Sequence, residues 1–179
     1  MSGEPAKPFR PEMEAVQVYE RLKQRFPQQI LETGGKLEGF AVVDAAGIVD
    51  VCRFLRDDPE TAIDCLSNET GVDYKDHIEV VYHLFSYTHR HGCVLKVKLP
   101  RENPVVATLE VIWSAANWME REIFDLLGVT FQGHSDMRRI LMPEDWPGYP
   151  LRKDFVEPQE YHGISTVRES PIIRLDQKH

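Results

Sequence analysis

The chain has 179 residues and a mass of 20.7 kDa, enough for one domain burying roughly 70% of the surface its unfolded form exposes. Its residues are 42% hydrophobic and 28% charged, and no apolar run approaches the roughly 18 residues of a membrane-spanning helix, which excludes such a helix. With 29 acidic against 21 basic side chains, a formal charge of -8 and a pI near 5.4, the chain repels phosphate backbones, so nucleic acid is not expected as a partner.

Taken from the start, residues 1–12 are polar and proline-containing, and read as a flexible tail without an apolar signal core. Pro11 suits the first turn of a helix whose Ala15, Val18, Tyr19, Leu22 and Phe26 share one face, and Pro27 ends it. Residues 30–45 read as two short strands around the Gly34-Gly35 pair. Ile48, Val51, Cys52 and Leu55 recur at helical spacing before Asp57, Asp58 and Pro59, and predict a second amphipathic helix. From Ile78, the β-branched and aromatic run IEVVYHLFSYT is followed by Val94, Leu95, Val97 and Leu99, which predicts a long antiparallel hairpin turning near Gly92. After Pro104, Leu109, Ile112, Ala116, Met119, Ile123 and Leu126 step by three and four, predicting a long helix over about 109–127 that Gly128 terminates. Its stripe should face the sheet, while Glu120, Arg121, Glu122 and Asp125 form a solvated face with Arg121 and Asp125 spaced as a surface pair. These residues define a core over 13–131.

Cys52, Cys65 and Cys93 form no CxxC pair and are too few for a four-thiolate cluster, so they read as structural thiols in a reducing cytoplasm. His77, His83, His89, His91 and Cys93 share one strand parity, but at about 3.3 Å per residue His77 and His89 would lie about 40 Å apart. A stand-alone metal-dependent enzyme would therefore have to use His89, His91 and Cys93, against the plainer reading of hairpin side chains. Acid-base catalysis by the carboxylates of the long helix would need one of them displaced in pKa by burial. No catalytic, cofactor-binding or metal residue is assigned.

Residues 132–179 form an extended, charged segment with too few apolar side chains to build a core alone. Within it, GHSDMRRILMPEDWPGYPLRKDF sets Arg138, Arg139, Arg152 and Lys153 among Asp136, Glu144, Asp145 and Asp154, stiffened by Pro143, Pro147 and Pro150. Such a strap, carrying Met142, Trp146, Tyr149 and Phe155 with guanidinium forks, has the texture of a protein interface. The alternative is a charged loop folded over its own domain.

EREIFDLLGVTFQGHSDMRRIL followed by MPEDWPGYPLRKDF closely resembles the signature of the 30 kDa subunit family (the C-subunit) of proton-translocating NADH-quinone oxidoreductase, respiratory complex I. Glu120, Arg121, Glu122, Asp125, His134, Arg138, Ile140 and Leu141 stand where that motif wants them, and Pro150 to Asp154 complete its second half. YHLFSYTHRH, SAANWMERE and EYHGI extend the resemblance over roughly residues 40–165. The family usually has proline after the motif's histidine; this chain has Ser135.

The resemblance implies a two-layer α+β domain, with helices on a mixed sheet, followed by the long helix and the irregular proline-rich strap. It implies a non-catalytic assembly subunit of the complex's hydrophilic arm, peripheral to the cytoplasmic side of a bacterial plasma membrane or its organellar equivalent. NADH, FMN, iron-sulfur clusters and quinone would then sit on other subunits. The implied partners are the quinone-site D-subunit and neighbouring iron-sulfur subunits, met through Glu120, Arg121, Glu122, Asp125, His134, Arg138, Arg139, Trp146, Tyr149, Arg152, Lys153 and Asp154. A homologous subunit of a ferredoxin- or hydrogenase-linked membrane complex carries similar modules.

Overall fold

A computed structural model of the chain describes residues 14–35 and 39–167. The expected tail over 1–12, Pro11 and residues 168–179 of the charged segment lie outside the described residues.

Helix α1 spans Ala15–Arg25 and begins where the Gln17 side chain accepts the Glu14 N–H at 2.9 Å. Its last turn closes when the Phe26 amide bonds Leu22 O at 2.8 Å, and Pro27 cannot continue it. Strands β1 (Ile30–Gly34) and β2 (Phe40–Val43) pair antiparallel, as the Gly34-Gly35 signal anticipates. A short 3-10 turn leads into α2, Ile48–Asp57, whose Ile48, Val51, Cys52 and Leu55 are all buried. The long hairpin is β4 (His77–Ser86) with β5 (His91–Pro100). Its turn lies at 87–90, where Arg90 takes a positive φ of 56°. Gly92 instead sits inside β5 opposite Phe85.

The longest element that sequence periodicity does not mark lies at a sheet edge. Strand β3, Cys65–Asp73, reads CLSNETGVD and lacks an apolar alternation, yet it pairs with β4 along its length. It is an edge strand, for the five-stranded sheet runs β1-β2-β5-β4-β3 with β2 and β5 parallel and the other pairs antiparallel. Alternate residues of β5, from His91 through Cys93, Leu95 and Val97 to Leu99, turn inward. Its apolar members join Val18, Leu22, Leu55, Tyr82 and Ile123 in one hydrophobic cluster under the helices.

The third helix is shorter than its stripe suggests. Helix α3 runs Ala116–Leu127, whereas 109–113 is a single turn in which the Ile112 and Trp113 amides bond Leu109 O. The reason is Glu120. Eleven residues of continuous helix would hold Leu109 about 16 Å from Glu120, but the Glu120 carboxylate accepts the Leu109 N–H at 2.6 Å, so the chain must double back. Strands β6 (Val105–Ala107) and β7 (Thr130–Gln132) flank α3 and pair in parallel. A final small hairpin joins β8 (Glu160–Tyr161) to β9 (Ile164–Ser165).

Helix α3 lies close over β3. A Cβ built at Gly71 would stand 2.4 Å from Leu127 Cδ1 and 3.0 Å from Ile123 Cγ2, so glycine there permits the approach. Ile123 is 4% exposed and belongs to the main cluster, while Met119 is half-buried against it. Ile123→Ala should therefore cost about 2–5 kcal/mol in urea unfolding; an unchanged midpoint would remove α3 from the core.

Candidate functional site

The residues singled out on the third helix are not a solvated face. Glu120, Arg121 and Asp125 are all buried, and only Glu122 is exposed. Arg121 and Asp125 do not pair with each other either. Each reaches into the strap instead.

Asp125 makes the densest set of contacts. Its side chain is wholly buried. One oxygen accepts the amides of Ile140, Leu141 and Met142 at 3.0, 2.7 and 2.9 Å, and the other meets Arg139 Nη1 at 2.9 Å. Burial alone would push this carboxyl up, but the three amides and the guanidinium outweigh it and hold the pKa below the usual carboxylate range. Arg139 donates further to Trp146 O at 3.2 Å and Gly148 O at 3.0 Å. Arg121 Nε donates to Arg138 O at 3.1 Å while its guanidinium lies 5.1 Å from the Trp118 ring.

A second anchor sits at the end of α3. Gly128 caps the helix with φ 74°, and its missing Cβ leaves room for the Tyr149 ring, which would stand 2.5 Å from it. The guanidinium carbons of Arg139 and Arg152 lie 5.4 and 4.9 Å from that ring. Arg152 Nε donates to Leu127 O at 2.8 Å, and the Leu151 amide bonds Leu126 O at 3.0 Å, so the strap satisfies carbonyls that the helix end leaves free.

The third anchor joins Lys153 and Asp154 of the motif to Asp73 and Arg101, which no sequence motif marks. Asp73, at the end of β3, accepts Arg101 through both oxygens at 3.1 and 3.0 Å, together with the amides of Lys75 and Lys153 at 2.9 and 2.8 Å. Arg101 also grips Asp154. Led by the Arg101 hydrogen bonds, these contacts push the Asp73 carboxyl far below its ordinary range. Lys153 is thus held by its backbone, and its residue stays exposed.

The strap begins at a fourth network. The His134 side chain is fully buried; its Nδ1 accepts the Asp136 amide at 2.9 Å, so Nε2 carries the proton and donates to Asn117 O at 3.0 Å. Ser135 stands where the family pattern has proline, and its N–H and hydroxyl both donate to Glu110, at 2.9 and 2.7 Å. Asn117 adds a bond to Glu110 at 2.8 Å. Led by Ser135, these donors lower the Glu110 pKa to about 2. A proline here would have no N–H to give.

Glu120 faces inward, holding Leu109 and the Thr108 hydroxyl, the latter at 2.5 Å, with burial raising its pKa to about 7. Trp146 packs 5.0 Å from Tyr161, and Asp145 receives the Tyr161 hydroxyl at 2.6 Å and His162 Nε2 at 2.7 Å. Exposed beside these anchors stand Trp118, Glu122, Arg138, Leu141, Leu151 and Lys153. Trp118 is absent from the residues expected at the interface; its i, i+4 spacing from Glu122, off the apolar stripe, is the signal that marks it. Far from here, the His89 and His91 rings stack 6.0 Å apart, His89 Nε2 meets Pro59 O at 2.9 Å, and burial raises the Cys93 thiol to about 12. Among the described residues, no group of three or more His, Cys, Asp or Glu is arranged to hold a metal ion.

The family model described as "Respiratory-chain NADH dehydrogenase, 30 Kd subunit" matches residues 41–161. The chain belongs to this family. It is accordingly a subunit of a respiratory complex of that kind, and the matched span runs from β2 through the strap. The chain is 50% identical over 143 residues to the NADH-quinone oxidoreductase C-subunit of Roseiflexus sp. (strain RS-1), covering 76% of this chain and 81% of that one. To the C-subunit of Roseiflexus castenholzii it is 54% identical over 110 residues, 60% of this chain and 63% of the relative. Among solved structures, the trypsin-resistant fragment (1-134) of Nqo5 superposes with a TM-score of 0.56 and 24% identity, covering 66% of this chain and 98% of that one. A chain of the membrane-bound sulfane sulfur reductase, an archaeal respiratory membrane complex, gives a TM-score of 0.65 and 27% identity, covering 79% and 85%. No helix among the described residues is long and apolar enough to cross a membrane.

Acid should release the strap before the sheet. Asp125, Asp73 and Glu110 are all depressed in the folded protein. Their stabilising contribution is complete above the unfolded values, about 3.9 for Asp and 4.3 for Glu, and is lost as pH falls through the folded ones. Amide chemical shifts of Ser135 should move toward coil values as pH falls toward about 2, and those of 140–142 as it falls below the ordinary aspartate value, both ahead of those in β4 and β5; simultaneous loss would refute separate anchoring. Ser135→Pro should raise the Glu110 pKa from about 2 toward the ordinary glutamate value, read by carboxyl NMR titration. An unmoved titration would show that Ser135 is not its principal donor.

Proposed function

We propose that the chain is a non-catalytic structural and assembly subunit of the hydrophilic arm of an NADH-quinone oxidoreductase, supporting electron transfer from NADH to quinone. On this reading residues 13–131 form the body, and residues 132–179 carry the segment that docks on partner subunits. NADH, FMN, iron-sulfur clusters and quinone belong to other subunits, and the arm stands peripherally on the cytoplasmic side of the membrane.

The observation that carries the docking role is the division of the strap's side chains. Arg139 is engaged on Asp125 and two strap carbonyls, Arg152 on the end of α3, and Asp154 on Arg101. The strap is therefore fastened by the domain itself, without a partner. That fastening leaves a prepared surface in which Trp118, Leu141 and Leu151 stand with Glu122, Arg138 and Lys153. Aromatic and arginine side chains on a rigid support are what an interface between subunits uses best, because little conformational freedom is lost on binding. The quinone-site subunit and neighbouring iron-sulfur subunits are the proposed occupants.

A second reading keeps the role and changes the complex. The likeness to a chain of the sulfane sulfur reductase complex, at 27% identity and a TM-score of 0.65, favours considering an arm fed by an electron donor other than NADH. Native purification of the complex, followed by assays with NADH and with reduced ferredoxin, separates the two.

Trp118→Ala with Arg138→Ala should leave the melting of the isolated protein unchanged while reducing its recovery in the membrane complex on native gels. Asp125→Ala should instead cost about 3–5 kcal/mol of folding stability, as for a broken buried pair. Normal assembly and quinone reduction by the Trp118/Arg138 variant would remove this surface from the interface.

A further inference from the structure

The space between β3, β4 and α3 holds polar groups used neither by the strap nor by the sheet ladder. Glu69 and Tyr82 are Cα partners across β3 and β4, so their side chains leave the sheet on one face. That face is the inner one, because Tyr82 shares it with Val80 and Leu84 of the main cluster. Glu69 is 5% exposed and Tyr82 fully buried. Among the described residues, neither carboxyl oxygen of Glu69 nor the Tyr82 hydroxyl has a hydrogen-bond partner. The Glu69 amide points to Met119 Sδ at 3.2 Å, which sets α3 directly above this spot.

The titratable groups that interact with Glu69 are Glu120 on α3, Tyr82 on β4 and Cys52 on α2. None is a cation, and no ion pair reaches Glu69 among the described residues. A bare carboxylate there would have neither donor nor countercharge. Glu120 is differently placed, since the Leu109 N–H and Thr108 hydroxyl reach its two oxygens. Where two carboxyls share one interior, the hydrogen-bonded one is the better anion and the bare one keeps its proton. Burial, with repulsion from Glu120 added, accordingly drives the Glu69 pKa well above the carboxylate range.

A neutral acid still needs an acceptor for its proton, and the Tyr82 hydroxyl needs a partner of its own. The two do not bond directly. Buried polar groups in this situation are bridged by internal water, which requires several polar partners within reach. We propose that the interior between β3, β4 and α3 is a hydration site in which ordered water bridges the neutral carboxylic acid of Glu69 to the Tyr82 hydroxyl.

The proton sets the sign of the pH effect. The folded chain keeps it where the unfolded chain releases it, so Glu69 lowers stability as pH rises from about 4.3 toward its folded value. The test uses the full chain in three measurements. Infrared spectra at neutral pH are read in the Glu120→Gln background, which removes the other raised carboxyl; they should show the carbonyl band of a protonated acid that a further Glu69→Gln abolishes. Thermal melts from about pH 5 to 9 should find Glu69→Gln above wild type at the alkaline end and level with it at the acid end. Oxygen-17 relaxation of water should count at least one fewer long-lived internal molecule in Glu69→Leu with Tyr82→Phe. An acid band in Glu120→Gln that survives a further Glu69→Gln, melts lowered by Glu69→Gln throughout, or an unchanged water count would each overturn the proposal. If Glu69→Gln does not fold, carbon-13 glutamate labelling of wild type and Glu120→Gln reads the band directly, and its absence overturns the proposal equally.

Discussion

The arrangement of the strap depends on one buried carboxylate. Asp125 lies inside the protein with its charge intact because four donors converge on it, three of them consecutive backbone amides of residues 140–142. Three successive amides reach one oxygen only if the chain curls around it, so the charge dictates the local path of the strap. Arg139 then bridges outward from the same carboxylate to Trp146 and Gly148, which fixes the next turn. Segments poor in apolar side chains rarely hold a shape by burial. This one holds its shape through charge-assisted hydrogen bonds to a rigid helix.

That helix must itself be immobile, and two features make it so. Gly71 lets α3 approach β3 until Leu127 and Ile123 fill the space a side chain would occupy. Glu120 ties the front of the helix to Thr108 and Leu109, which extend β6 toward the turn before α3. Together with the parallel pairing of β6 and β7 on either side, these contacts hold both ends of α3. The strap's anchors therefore refer back to the sheet, and Asp73 at the end of β3 closes the loop through Arg101 and Asp154.

Much of this fold was legible in the residues. The apolar spacing of α1 and α2 marks those helices because burial on one face imposes a clean period, the Gly34-Gly35 pair marks the end of β1, and the β-branched and aromatic run marks β4, which is buried along most of its length. Strand β3 carried no such mark. Its residues are mostly polar, it lies at a sheet edge, and its inward Glu69 breaks the alternation that a period-two reading needs. The apolar stripe also continued through Leu109 and Ile112, which pack in the core from a turn rather than from the helix. The charged residues of α3 read as solvated because their spacing fits a surface pair. Burial depends on a strap far along the chain, and no local pattern reports it.

Arg138 and Arg139 show why residue type alone could not assign the site. They are adjacent and chemically identical, yet the curl around Asp125 turns Arg139 inward to 14% side-chain exposure and leaves Arg138 at 69%. Among the described residues, the Arg138 side chain bonds only Asp136, two positions away, at 2.6 and 2.7 Å, an exposed pair that contributes little to folding. The energetic division follows. Removing the inner arginine would leave a buried carboxylate without its cation, whereas the outer one can exchange Asp136 for another carboxylate without disturbing the domain. One dipeptide thus supplies both a brace for the strap and a contact displayed upon it, and each role exists because the other arginine takes the opposite side.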